Sequence, residues 1–132
     1  MYGRSGLVAF VLLFATSVGA GDVEIVMAVL SKQGDQWVCE TTLRHDDRGW
    51  DHYADAWWVV TSTGKILGTR TLYHPHVDEQ PFTRSLRDIT IPADAQIVFI
   101  EAHDKIHGWS SKRVKVDLTK KAGNRYRVNR SR

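Results

Sequence analysis

Beyond residue 22, apolar and polar positions alternate in short runs rich in β-branched and aromatic residues, and no long segment keeps a helical period. The clearest run is Trp37 to Arg44. It sets Trp37, Cys39, Thr41 and Leu43 on one face and Val38, Glu40, Thr42 and Arg44 on the other, the pattern of a half-buried strand. Val23 to Leu30 is almost continuously apolar, which suits a strand covered on both sides or one whose outer face is partly shielded. Tyr53 to Thr61, with Ala56-Trp57-Trp58-Val59-Val60 inside it, predicts another strand. The link Thr61-Ser62-Thr63-Gly64-Lys65 reads as a hairpin turn with glycine where positive φ is needed, so Ile66 to Tyr73 runs back antiparallel. Phe82 to Ile91 follows, bulged near Arg87-Asp88, then Pro92-Ala93-Asp94 turns the chain into Gln96 to Ala102, and Arg113 to Leu118 is the last run. About seven short strands between residues 21 and 118 predict an all-β domain, an immunoglobulin-like antiparallel β-sandwich.

The first twenty residues have a different character. Arg4 supplies a positive start, Leu7 to Val18 an apolar stretch, and Val18-Gly19-Ala20 a small-residue cleavage site, the order found in a cleavable signal peptide over 1–20. The apolar stretch is shorter than the roughly 20 residues that a spanning helix needs. The mature protein is therefore expected in the periplasm or secreted, not spanning a membrane, and without nucleic acid as a partner.

Charge divides the chain as well. Residues 21–118 hold 11 Lys and Arg against 15 Asp and Glu, whereas residues 119–132 hold six basic residues and no acid. With no apolar period, 119–132 reads as a flexible basic tail able to touch an anionic surface. Cys39 is the single cysteine, so no disulfide can form within the chain, and its place on the face of Trp37, Thr41 and Leu43 predicts a buried, inert thiol.

Candidate chemistry comes from the six histidines. In a run of antiparallel strands successive loops alternate between the two ends, and His45 and His52, His74 and His76, and His103 and His107 fall in or beside three loops of one end. The loops of the other end contain none. Neutral imidazole is a common ligand for Zn, Cu and Fe, and groups from separate strand ends can enclose one ion. In His74-Pro75-His76 the proline extends the residue before it, so both rings point to one side. Carboxylates crowd the same end: Asp46, Asp47, Asp51, Asp55, Asp78, Glu79 and Asp104. Of these Asp104, Asp51 and Glu79 stand out as alternative ligands or as acceptors that fix the imidazole tautomers. Trp50 and Trp109, each beside a glycine, are candidates for a binding rim. Arg84 is expected in a surface ion pair with Glu79 or Asp78.

His45 and His52-Tyr53 ahead of Trp57, together with Asp104-Lys105-Ile106-His107-Gly108-Trp109, resemble the iron domain of superoxide reductases, the desulfoferrodoxin and neelaredoxin family. The resemblance covers about residues 43–118. It implies an immunoglobulin-like sandwich and a solvent-facing iron held by histidines, with His45, His52 and His107 at matching positions. The family's cysteine position holds Asp104 here, the His45 to His52 spacing is about one residue longer, and its N-terminal Glu-Lys-His element is absent. Loss of that thiolate removes the ligand that pushes electron density toward bound oxygen.

Two functions follow from these residues. The first is an exported sandwich that binds Cu, Fe or Zn through loop histidines, with redox chemistry on a small oxygen species as its reaction class if it is catalytic. The second is a non-catalytic module that binds a glycan or a protein, its histidines serving to order the loops. A small molecule, a redox protein or another protein partner fits one or other of these. A Ser-His-Asp hydrolase has little support: Ser110 and Ser111 lie near His107 without a nucleophile-elbow sequence.

Overall fold

The computed structural model describes residues 22–130, so the expected leader at 1–20 lies outside the described residues. The elements are β1 (Glu24–Gln33), β2 (Gln36–Arg44), β3 (Ala54–Thr61), β4 (Ile66–Thr71), β5 (Phe82–Ile89), β6 (Ile97–Asp104), β7 (Gly108–Trp109), β8 (Val114–Asp117), β9 (Ala122–Gly123) and β10 (Tyr126–Asn129). No helix occurs among the described residues, and none is long and apolar enough to cross a membrane. One sheet has the order β5-β2-β1-β10-β9, and the other has β4-β3-β6-β7 with β8 also paired to β6. All pairings are antiparallel except β1 with β10, which run parallel with Ala28 opposite Tyr126 and Leu30 opposite Val128.

The period-2 pattern explains what fills the space between the sheets. Ile25, Ala28 and Leu30 from β1, and Trp37, Cys39 and Leu43 from β2, meet Trp57 and Val59 from β3 and Val98, Ile100 and Ala102 from β6 in one core. Gly68 on β4 lies where the sheets close on each other: a Cβ there would sit 2.9 Å from Leu86 Cδ2 on β5 and would push that side chain aside. The irregularity near Arg87-Asp88 is a bulge: the register shifts between Trp37 and Cys39, opposite Ile89 and Leu86, and Asp88 has φ of 59°. Cys39 is fully buried, with Sγ 3.5 Å from Thr41 Oγ1, and burial pushes its thiol up to about 12, so the reactive thiolate is suppressed.

The segment expected as a flexible tail is part of the fold. β10 adds to the exposed edge of β1, and Tyr126 and Val128 alternate with Arg127 and Asn129, so the two apolar side chains enter the core and the polar ones face out. Arg125 reinforces the junction by donating to the carbonyls of Ile25 (3.1 Å) and Arg113 (3.2 Å). Four residues are too few for a period to stand out in sequence, and the strand exists because β1 offers it an unpaired edge. The domain therefore continues past Leu118 through at least Asn129.

Each element that ends at the histidine-bearing pole delivers its loop there. β2 ends at Arg44 beside His45, and β6 ends at Asp104 in register with Ala54 at the start of β3. The opposite pole carries the β1–β2 turn, where Gln33 faces Gln36, and the start of β6, where Ile97 faces Asp117. Truncating Tyr126 to Ala should cost about 3 kcal/mol through lost burial and a residual cavity, read as a lower urea midpoint. An unchanged midpoint would mean that the segment after Leu118 does not belong to the core.

Candidate metal centre

Asp104, the last residue of β6, has its side chain turned inward and only 1% exposed. A buried carboxylate needs hydrogen bonds or positive partners to offset its lost hydration. Two come from the chain just beyond it: Oδ1 accepts the backbone N–H of Ile106 (2.8 Å) and of His107 (2.6 Å), which curls the loop back over the carboxylate. The remaining neighbours are imidazoles. His45 Nε2 lies 3.6 Å from Oδ2, His52 Nε2 3.7 Å from Oδ1, and His107 Nδ1 3.2 Å from both oxygens. The rings of His45 and His52 meet edge to face at 4.9 Å, and His52 and His107 lie 5.2 Å apart. One ligand atom each from His45, His52 and Asp104 can be chosen so that all lie within 4.8 Å of one another. His107, with its side chain 41% exposed, closes the solvent side.

A second carboxylate sets the ring of His45. Asp47 Oδ1 accepts from His45 Nδ1 (2.5 Å) and from the Ala54 backbone N–H (3.0 Å), while Oδ2 accepts the His76 N–H (2.7 Å). A proton on His45 Nδ1 leaves Nε2 as the atom directed at Asp104. Burial by itself would raise the Asp47 carboxyl, but the bonds from His45 and from the backbone of His76 and Ala54 outweigh it and hold the group below its ordinary range. Gln80 ties the same two loops together: Oε1 accepts the His45 N–H (3.0 Å) and Nε2 donates to the His76 carbonyl (2.9 Å).

His74 and His76 lie close together, rings 4.6 Å apart, yet their rings turn to other partners. His76 is buried and stacks on Phe82 at 4.0 Å, with Arg84 Nη2 2.9 Å from its Nε2. A guanidinium can only donate, so His76 Nε2 accepts and the ring proton sits on Nδ1, which is buried without a hydrogen-bond partner and 3.9 Å from Asp47 Oδ2. Burial first, then the Arg84 charge and neighbouring His74, hold the His76 imidazole below its ordinary value. Arg84 also reaches Glu79 at 3.4 Å, so the expected surface ion pair is present beside a buried contact that the sequence did not suggest. His74 is exposed, with Nδ1 3.3 Å from the Pro75 carbonyl.

His103 does not join the group around Asp104. Its Nδ1 bonds Asp55 Oδ1 (2.5 Å), and its ring lies 4.9 Å from Trp109. The reason is the pleat: His103 and Asp104 are successive residues of one strand and point to opposite faces. The six histidines thus share one pole but fall into three groups, His45, His52 and His107 around Asp104, His74 with His76, and His103 with Asp55. Asp51 is exposed, and Glu79 serves Arg84. Trp50 is 63% exposed against Tyr53, whereas Trp109 stacks on Trp58 at 3.6 Å, so the two tryptophans have separate surroundings. Asp47 is one of seven carboxylates expected at this end, and the sequence does not set it apart from the rest, since nothing in Asp46-Asp47 distinguishes the exposed acid from the buried one.

The chain is 39% identical over 97 residues to a protein of Halomicrobium mukohataei named "Putative lipoprotein". The match covers 73% of this chain and 47% of the relative, so the chain spans about half the length of the curated protein it resembles. No family description matches the chain, and no solved structure matches it.

The His76 imidazole makes stability depend on pH. Its folded value lies below the ordinary 6.5, so the unfolded chain takes up the proton first, and stability present above pH 6.5 is lost as pH falls below it. Urea midpoints measured in chelator should drop between neutral and mildly acidic pH, and His76→Gln should shrink that drop. A variant that keeps the whole drop would assign it to other groups.

Proposed function

We propose that this chain is an exported β-sandwich protein of immunoglobulin-like topology that holds a divalent transition metal between His45, His52 and Asp104, with His107 at the open side. The observation that carries this reading is the His52 imidazole: its Nε2 is buried, has no hydrogen-bond partner and lies 3.7 Å from an oxygen of an equally buried carboxylate. A buried ring nitrogen left without a partner beside a carboxylate is costly unless something fills the gap between them. Two ligand atoms at about 2.1 Å from a tetrahedral ion stand about 3.4 Å apart, close to the 3.6 and 3.7 Å separations of the two imidazole nitrogens from Asp104.

Imidazole nitrogen with carboxylate oxygen, and no thiolate, suits Cu(II), Zn or non-haem Fe. The residues that carry the resemblance to superoxide reductase iron domains, His45, His52 and His107, lie around Asp104, which stands where that family has its cysteine. With carboxylate replacing thiolate, the site lacks the strong electron donor of that family, so a bound copper or iron would act in redox chemistry tuned by imidazole and carboxylate alone. Asp47 would fix the His45 tautomer from behind. The immunoglobulin-like reading draws on the strand orders β5-β2-β1 and β4-β3-β6-β8. Export draws on the 1–20 leader pattern and on the relative's name.

A binding module is the second reading, favoured by Trp50 and Tyr73, which stand 63% and 78% exposed on the same pole. Elemental analysis of the mature protein, purified without a histidine tag, separates the two. About one equivalent of copper, iron or zinc is expected, lost in His52→Gln and in Asp104→Asn and retained in His103→Ala. Metal-free protein whose melting temperature ignores both added metal and chelator would end the metal reading and leave the binding module.

A further inference from the structure

The pole opposite the histidines carries an open cavity of about 740 Å³ between the end of β1, the turn after β8 and the last strand β10. Its floor is apolar, formed by the buried side chains of Leu118 and Val128. Its walls carry Lys32, Lys120, Lys121, Arg127 and Arg130, with no carboxylate among the lining residues. We propose that this cavity is a binding site for a compact polyanion bearing several phosphate groups, either free in solution or presented as a lipid headgroup.

The ordered last strand is what makes this a site and not a charged tail. Parallel pairing of β10 with β1 places Ser31 opposite Asn129, and Asn129 Nδ2 donates to Ser31 Oγ (3.3 Å), so the cavity's β1 and β10 walls belong to one sheet. The Val128 N–H donates to the Lys121 carbonyl (2.9 Å), which holds the lysine-bearing turn against the same strand. Arg130 is positioned by two bonds to the Leu118 carbonyl, at 3.2 and 2.9 Å, and lies over the Trp37 ring at 5.2 Å.

The other cations have no such duties. Among the described residues Lys32, Lys120, Lys121 and Arg127 make no ion pair, although acids are near in the chain. Asp117 accepts the backbone N–H (3.0 Å) and the hydroxyl (2.6 Å) of Thr119, and the charge of Lys120 acts on it without a direct ion pair. Asp35 lines a neighbouring hollow that Lys32 and Arg130 share, without an ion pair to either. Cations of one sign held around an open cavity repel each other, and an anion with several charges relieves that repulsion at many points at once. Planar guanidinium suits phosphate oxygens, and lysine supplies mobile point charges around them.

The test titrates the full-length mature protein with inorganic triphosphate at low salt, following backbone amide shifts and melting temperature. The proposal expects saturable binding, shifts confined to the pole of Lys120 and Arg127, a raised melting temperature, and affinity that falls with salt. The exposed substitutions Lys120→Gln, Lys121→Gln and Arg127→Gln combined should weaken it by about ten-fold or more, whereas His52→Gln and His107→Gln should leave it unchanged. Sedimentation with vesicles containing cardiolipin, whose headgroup carries two phosphates, competed by triphosphate, identifies a headgroup as the source, and triphosphate binding without vesicle binding identifies a soluble ligand. Failure to bind either, or binding that the triple variant keeps in full, overturns the proposal.

Discussion

A buried carboxylate has to be compensated where it lies, and Asp47, beneath the loops after β2 and β4, organises the histidine-bearing pole by that requirement. Its two oxygens take hydrogen bonds from the His45 ring, from the start of β3 at Ala54 and from the loop that carries His76. Breaking a buried charged pair by removing one partner commonly costs about 3–5 kcal/mol, because the remaining charge is left uncompensated. The loop after β2 and the loop after β4 are consequently held to each other, with Gln80 spanning the same gap. Asp104 plays the corresponding part for the third loop, whose amides fold over it.

The two carboxylates divide the work. Asp47 sits behind His45 and has its acceptor capacity used by protein N–H groups, whereas Asp104 faces a space bordered by three imidazoles. Orientation of a ligand by a carboxylate behind it, with a second carboxylate among the ligands, is the arrangement a metal centre needs if its imidazoles are to present fixed tautomers. Arg84, donating to His76 and reaching Glu79, anchors the outer edge of this network. The opposite pole is built on different chemistry, with cations around an apolar floor.

Alternation along Trp37 to Arg44 and the glycine turn at Gly64 were enough to specify strands and a hairpin, because burial of one face imposes a period of two that sequence displays directly. Parity of antiparallel strands likewise carries all three histidine-bearing loops to one pole. By contrast, β10 was hidden: its two inward residues, Tyr126 and Val128, are too few to form a visible period and are flanked by arginines. The strand is stabilised by an edge contributed by residues about a hundred positions earlier, which no local pattern records.

By itself the sequence determined the strands up to Leu118 in outline, that the histidines share an end, and that the single thiol lies in the core. Only the tertiary structure decided which histidines meet. His103 and Asp104 are neighbours in the chain, but the pleat sends one outward to Asp55 and the other inward to His45 and His52. It also decided which of two adjacent aspartates is buried, since Asp46 pairs with Arg48 at the surface while Asp47 lies between the loops after β2 and β4. Side-chain direction at a strand end depends on bulges and register set by partner strands, and those partners are distant in sequence.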